Sequence, residues 1–159
     1  MQNIQMLIGT IVRFLHDLFT ATWIGGLLVL SLAVLPGLKK DPQVKKPKLA
    51  IRAIQKRMRT LALISMLGLA VTGILMSQYQ PGFTGFFSFT STGMTLLSIK
   101  HILMILMVAL AFSRLAVNRK EEKQKSSRLE KISEGILFGN TFLGVVVLFL
   151  SAYLSIGIQ

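Results

Sequence analysis

The chain carries two histidines, His16 and His101, and each lies inside a long apolar segment, the first spanning about residues 7–35 and the second about 94–117. An imidazole is costly to hold in hydrocarbon, so a histidine at that depth points to a functional task. Two that can face one another point to a metal or heme site, because a neutral imidazole nitrogen is the commonest protein donor to a metal. Around them stand groups that a purely structural histidine does not need. Arg13, His16, Asp17 and Thr20 are spaced i, i+3, i+4 and i+7 along one stripe of a helix. Lys100 immediately precedes His101, and Lys100, Met104, Met107 and Arg114 follow a second stripe.

The elements that must position these residues are membrane helices. With 52% hydrophobic residues and a mean hydropathy of +0.64, the chain is solvated by lipid rather than water. A helix crosses the hydrocarbon in about 20 apolar residues. Four segments qualify, at about 7–36, 59–78, 94–117 and 133–157, and four helices in 159 residues leave no length for a soluble domain. The expectation is a single all-α domain over 1–159, an integral membrane four-helix bundle running up-down-up-down. The first segment has no charged n-region and no small-residue cleavage site after it, so it is expected to stay in the mature protein.

A net charge of +12 invites a nucleic-acid reading, but the distribution of the charge argues for topology instead. Lys39, Lys40, Lys45, Lys46, Lys48, Arg52, Lys56, Arg57 and Arg59 stand in the first connection against Asp41 alone. Arg119, Lys120, Lys123, Lys125, Arg128 and Lys131 stand in the third, mixed with Glu121, Glu122 and Glu130. The connection from Ser77 to Thr95 is uncharged. The positive-inside rule then places both basic loops in the cytoplasm and both termini outside a plasma (inner) membrane, with anionic headgroups as partners of the basic loops. No nucleic-acid partner is expected.

Counted from that outer face at 1.5 Å per residue, His16 lies roughly 13 Å and His101 roughly 10 Å into the bilayer. Two rings at one level on helices 1 and 3 suit a shared ion. With no cysteine in the chain, disulfides, cysteine-ligated iron–sulfur clusters and covalent c-type heme are excluded. A noncovalent b-type heme fits the remaining donors, with His16 and His101 as axial ligands and Arg13 and Lys100 as propionate or charge partners. Asp17 is the favoured ion-pair partner of Lys100, since either charge alone is expensive in a low dielectric. Copper is the alternative: Cu(I) takes imidazole and thioether donors, and Met104, one turn from His101, completes a His16, His101 and Met104 set.

The run His16, Asp17, Leu18, Phe19, Thr20, Ala21, Thr22, Trp23, Ile24, Gly25, Gly26, continuing to Leu35 and Pro36, resembles the first helix of the copper resistance protein D (CopD) domain. Arg57, Met58 and Leu61 through Thr72 and Gly73 resemble that domain's arginine-led second helix with its T-G end, and Leu97 through Lys100, His101 and Ala111 to Asn118 and Arg119 its lysine-bearing third. The resemblance covers about residues 10–155, and it implies a copper-handling membrane protein with Trp23 of the W-x-G-G run beside the bound group. The chain is also similar to the HemJ-type protoporphyrinogen oxidases, whose first-helix histidine and third-helix lysine correspond to His16 and Lys100; that similarity implies b-type heme and a membrane oxidoreductase. His101 departs from both families, and Leu35, Pro36, Gly37 and Leu38 stand where the HemJ type alone carries a proline-arginine run and a second histidine. Either heme reading implies one-electron chemistry with a quinone or a redox partner protein.

Further features are weaker. Tyr79, Phe83, Phe86, Phe87 and Phe89 form an aromatic cluster expected at the outer membrane surface, as an interfacial belt or as a lid or quinone-contacting surface. Gly135 and Gly139 make a G-x-x-x-G that permits close helix approach or a homodimer. Residues 48–59 read as an extension of helix 2, with Leu49, Ile51, Ile54 and Met58 on one face and Lys48, Arg52, Lys56, Arg57 and Arg59 on the other. Glu121 and Lys125, at i, i+4 spacing, are expected to carry helix 3 past its apolar part. No Walker motif or paired carboxylates support an ATP-driven pump or a hydrolase.

Overall fold

Apolar segments longer than the hydrocarbon is thick must satisfy their backbone groups internally, and helices do so. The structure, a computed structural model, describes residues 2–40, 42, 47–78, 87, 89–124 and 126–157. Four helical spans, Asn3–Lys40, Leu49–Ser77, Thr92–Gln124 and Ser127–Ile156, are long and apolar enough to cross a membrane. No strand occurs among the described residues. The fold is all-α and multi-pass, as the sequence predicts.

In chain order the elements are α1 (Gln2–Leu28), a π-helical segment (Val29–Val34), α2 (Leu35–Lys40), α3 (Pro47–Gln78), α4 (Thr92–Gln124) and α5 (Ser127–Gly157). All four spans outrun the apolar segments at their basic ends. α3 begins at Pro47 rather than near 59; proline suits a first helical position, where no N–H partner is needed. Ile51 is buried while Lys56, Arg57 and Arg59 are exposed, but Leu49 is exposed and Arg52 half-buried, so the amphipathic division expected of that stretch holds only in part. α4 runs on to Gln124, past Glu121; Lys125 lies outside the described residues, as do Asp41, Lys45 and Lys46 of the first basic connection. At its other end α4 is capped by Ser91, whose hydroxyl accepts the Met94 N–H at 3.3 Å while its carbonyl accepts the Thr95 N–H at 2.8 Å. Of the aromatic cluster, Phe87 and Phe89 are exposed, and Tyr79, Phe83 and Phe86 lie outside the described residues.

Pro36 does not end the first helix; the chain stays helical to Lys40. Proline has no N–H for the carbonyl four residues back, and its ring crowds that carbonyl. The turn before it widens to the π pattern, shown by the Leu35 N–H donating to the Leu30 oxygen, which absorbs the misfit without breaking the helix.

The helices pair as two compact units, α1 and α2 with α3, and α4 with α5. In the first, the packed face of α1 is Val12, His16, Phe19 and Trp23, continued by Leu30 of the π-helical segment, and that of α3 is Ile51, Met58, Ser65, Leu69 and Thr72. The spacings are three, four or seven residues, one stripe per helix. The contacts run antiparallel. The His16 ring stands 3.9 Å from where a Gly73 Cβ would be, the Phe19 ring covers Gly68 so closely that a Cβ there would overlap it, and the Met58 sulfur stands 3.7 Å from a Gly26 Cβ position. These glycines admit side chains from the opposing helix rather than a flat macrocycle.

In the second unit the Ser133 hydroxyl donates to the Asn118 Oδ1. Carried along antiparallel helices, that register sets Arg114 opposite Leu137 and Met107 opposite Gly144. Met107, Leu137 and Gly144 are all buried. Gly135 and Gly139 are exposed with nothing within 4 Å of a Cβ position, so the G-x-x-x-G takes no part in packing α5 on α4.

Candidate functional site

His16 is half-buried between α1 and α3, and its Nδ1 lies 2.9 Å from the Thr72 Oγ1. The Thr72 hydroxyl has one proton, which it donates to the Gly68 carbonyl at 2.7 Å, a helix back-bond. Toward the histidine that oxygen can only accept. His16 therefore carries its proton on Nδ1, and its lone pair resides on Nε2. The helix holds the ring's base as well, since the Thr20 hydroxyl donates to the His16 carbonyl at 2.9 Å.

His101 reaches the same protonation by another route. Its Nδ1 lies 2.7 Å from the Leu97 carbonyl oxygen, and a carbonyl only accepts, so Nδ1 is again the protonated nitrogen and Nε2 the basic one. A ring whose Nδ1–H is held by an oxygen while Nε2 keeps its lone pair is the form in which histidine ligates metals, and the held proton fixes both tautomer and ring orientation. Lys100 and Met104 are half-buried on the same helix, and Met107, further along the second stripe, has no exposed surface.

Of the stripe that begins at Arg13, His16 enters the α1–α3 contact and Thr20 is half-buried, while Arg13 and Asp17 are exposed. Trp23, two turns from His16 along the packed face, is 2% exposed, and its indole Nε1–H is buried with no hydrogen-bond partner. A buried indole N–H ordinarily finds an acceptor. On the face that carries His16, this N–H is the buried donor left without an acceptor.

Among the described residues, no three His, Cys, Asp or Glu side chains gather into a metal site. A macrocycle that brings four nitrogens of its own needs only one or two imidazoles from the protein.

Two groups of polar residues escape a reading of the sequence by motif. Thr72 stands there only as half of a T-G pair, yet it sets the His16 tautomer, while Gly73 makes room for the ring. In α4 and α5, Asn118, Ser133 and Asn140 are polar positions in apolar surroundings; Asn140 is 2% exposed, and its Oδ1 has no partner. Ser133 and Asn140 are seven residues apart, a spacing that places them on one helix face.

The chain is thus an all-α, multi-pass membrane protein whose two histidines each set Nδ1 against a protein oxygen. No family model, curated protein or solved structure matches it.

Proposed function

We propose that this protein binds a noncovalent b-type heme through axial imidazoles, with His16 and His101 as the ligands. The observation that carries the reading is the placement of each ring's Nδ1 against a protein oxygen, the Thr72 Oγ1 at 2.9 Å and the Leu97 carbonyl at 2.7 Å, which orients each imidazole. Bound heme supplies one-electron redox chemistry, exchanged with a quinone or a partner protein. The residues of this chain do the holding. Thr72 and the Leu97 carbonyl orient the rings, Lys100 offers a charge to a propionate, and the Trp23 N–H offers a hydrogen bond to a polar group of the ligand. The likeness of His16, Trp23, Thr72–Gly73 and Lys100 to the motifs of the CopD and HemJ families supports a membrane cofactor site.

The proposed setting is the plasma membrane, with the basic connections in the cytoplasm and both termini outside. Absorption spectroscopy of the purified protein is the decisive test. The heme reading expects a Soret band, with α and β bands that sharpen on reduction, and a change from low-spin to high-spin iron in His16→Ala and in His101→Ala. A colourless preparation that co-purifies with copper overturns it in favour of Cu(I) on His16, His101 and Met104.

A further inference from the structure

The second unit holds a charged group that heme ligation does not use. Arg114 lies on the packed side of α4, half-buried, and its Nε and Nη2 are both sealed from solvent with no hydrogen-bond partner. Those two nitrogens form the side-on edge of the guanidinium, the pair of parallel N–H donors that matches two oxygens of a carboxylate or phosphate. Glu134 lies within electrostatic range of the group and moderates its charge without occupying that edge. Nearby, the Asn118 Oδ1 is committed to the Ser133 hydroxyl.

A cationic edge with no oxyanion is expensive in a low dielectric. Arginine relieves such a cost readily, because its flexible stem lets the head group swing while the methylenes remain in apolar surroundings. Depth decides what it meets. Arg114 is 20 residues beyond Met94, the start of the apolar run, so at 1.5 Å per residue it sits about 30 Å along the helix, the thickness of the hydrocarbon. That is the level of lipid phosphates in the leaflet bordered by the basic connection. Just past it, Arg119, Lys120, Lys123, Arg128 and Lys131 are exposed and draw anionic headgroups to that leaflet. His101 is 13 residues away on the same helix, about 20 Å, so this position is separate from that histidine.

We infer that Arg114 is the anchor of a specific phospholipid site, in which the guanidinium edge takes the phosphodiester of an anionic lipid while the lysines and arginines beyond α4 hold that lipid's leaflet close. The occupant is the lipid and not dissolved phosphate, because the edge lies at headgroup depth on a membrane helix, where lipid phosphate is concentrated.

Native mass spectrometry of the purified protein, titrated in detergent with dioleoyl phosphatidylglycerol, tests the site. The wild-type chain should retain one lipid molecule in preference to further ones. Arg114→Gln should weaken that first binding by about tenfold or more, as loss of a bidentate charged pair does. Arg114→Lys keeps the charge but loses the fork, so it should recover only part of the affinity, and it carries the test if the glutamine variant does not fold. Lys131→Gln, which removes an exposed charge, should change the first binding by no more than about twofold. The inference is overturned if Arg114→Lys and every folded Arg114→Gln sample bind the first lipid as the wild type does. It is also overturned if millimolar inorganic phosphate displaces the lipid, because the edge would then serve a free oxyanion. Neither result depends on whether heme is bound.

Discussion

Replacing Thr72 by valine tests the chemistry proposed for His16 with little change of shape, since the two side chains are nearly isosteric. The threonine oxygen takes part in two short hydrogen bonds, one received from the His16 Nδ1–H and one given to the Gly68 carbonyl. The second loss is cheap, because the Gly68 carbonyl keeps its backbone N–H donor within α3. The first leaves an imidazole N–H without this acceptor between two helices, at a cost of about 1–3 kcal/mol if it stays unpaired. Interhelical side-chain bonds in membranes return less when measured, about 0.6 kcal/mol on average and about 1.7 at most, so the hairpin should lose about 1 kcal/mol and remain folded. Ligation suffers more. Without Thr72 the ring is free to turn or to move its proton to Nε2, and a protonated Nε2 cannot bind iron. Loss of an oxygen that orients a ligating histidine typically costs about 10–100-fold in affinity, or about 1.4–2.7 kcal/mol. Heme titration of the apoprotein, followed at the Soret band, should show a Kd raised by that factor in Thr72→Val and close to wild type in Thr72→Ser, which keeps the acceptor. A folded Thr72→Val protein with unchanged heme affinity and an unchanged reduced α band would refute the tautomer argument.

Packing and polar contacts yield three more expectations. Gly68→Ala should cost about 1–3 kcal/mol by overpacking against the Phe19 ring, and Phe19→Ala in the same chain should remove most of that cost; a double-mutant cycle of thermal unfolding in detergent checks it, and strictly additive losses count against the contact. Ser133→Ala should destabilise the α4–α5 hairpin by about 0.6 kcal/mol and by no more than about 1.7, a range that steric trapping or thermal unfolding resolves. Gly135→Ala combined with Gly139→Ala should leave the monomer's unfolding midpoint unchanged or slightly raised, because both positions are open and alanine is the better helix former; a drop of several degrees would show that the pair packs after all.

The four spans were legible because length and hydropathy alone decide them, whereas the helix starts at Pro47 and after Ser91 lie before the apolar runs, where hydropathy carries no signal. Pro36 misleads for a physical reason. Proline commonly marks an end, but in a membrane helix the backbone has no water to turn to, and a local change of hydrogen-bond pattern is the cheaper response. The stripe of Arg13, His16, Asp17 and Thr20 misleads because i, i+3, i+4 and i+7 span a wide arc. At 3.6 residues per turn, Asp17 lies about 100° beyond His16, so a narrow interface centred on Val12, His16, Phe19 and Trp23 leaves it outside. Thr72 was out of reach altogether. A threonine in an apolar helix ordinarily bonds to its own backbone, and only the register of α3 against α1 shows that its oxygen also receives a proton from the opposite helix.

The energetics of His16 argue that its purpose is not to hold the hairpin together. Lipid tails are as apolar as leucine, so association of α1 with α3 rests on close packing, which Phe19 on Gly68 and Met58 beside Gly26 supply. The hydrogen bond to Thr72 adds about 0.6 kcal/mol on average. Placing a polar ring where its second nitrogen must also be accommodated costs more than that in an apolar medium. A leucine at this position would fill similar volume beside Gly73 with no such debt. His16→Leu should therefore leave the unfolding free energy of the apoprotein within about 1 kcal/mol of wild type, or raise it, while abolishing low-spin heme binding. Equilibrium unfolding of the apoprotein and the reduced absorption spectrum together decide the point. A loss of stability well beyond about 1.7 kcal/mol, the most that a membrane hydrogen bond of this kind returns, would make His16 a structural residue and remove the energetic case for a ligand.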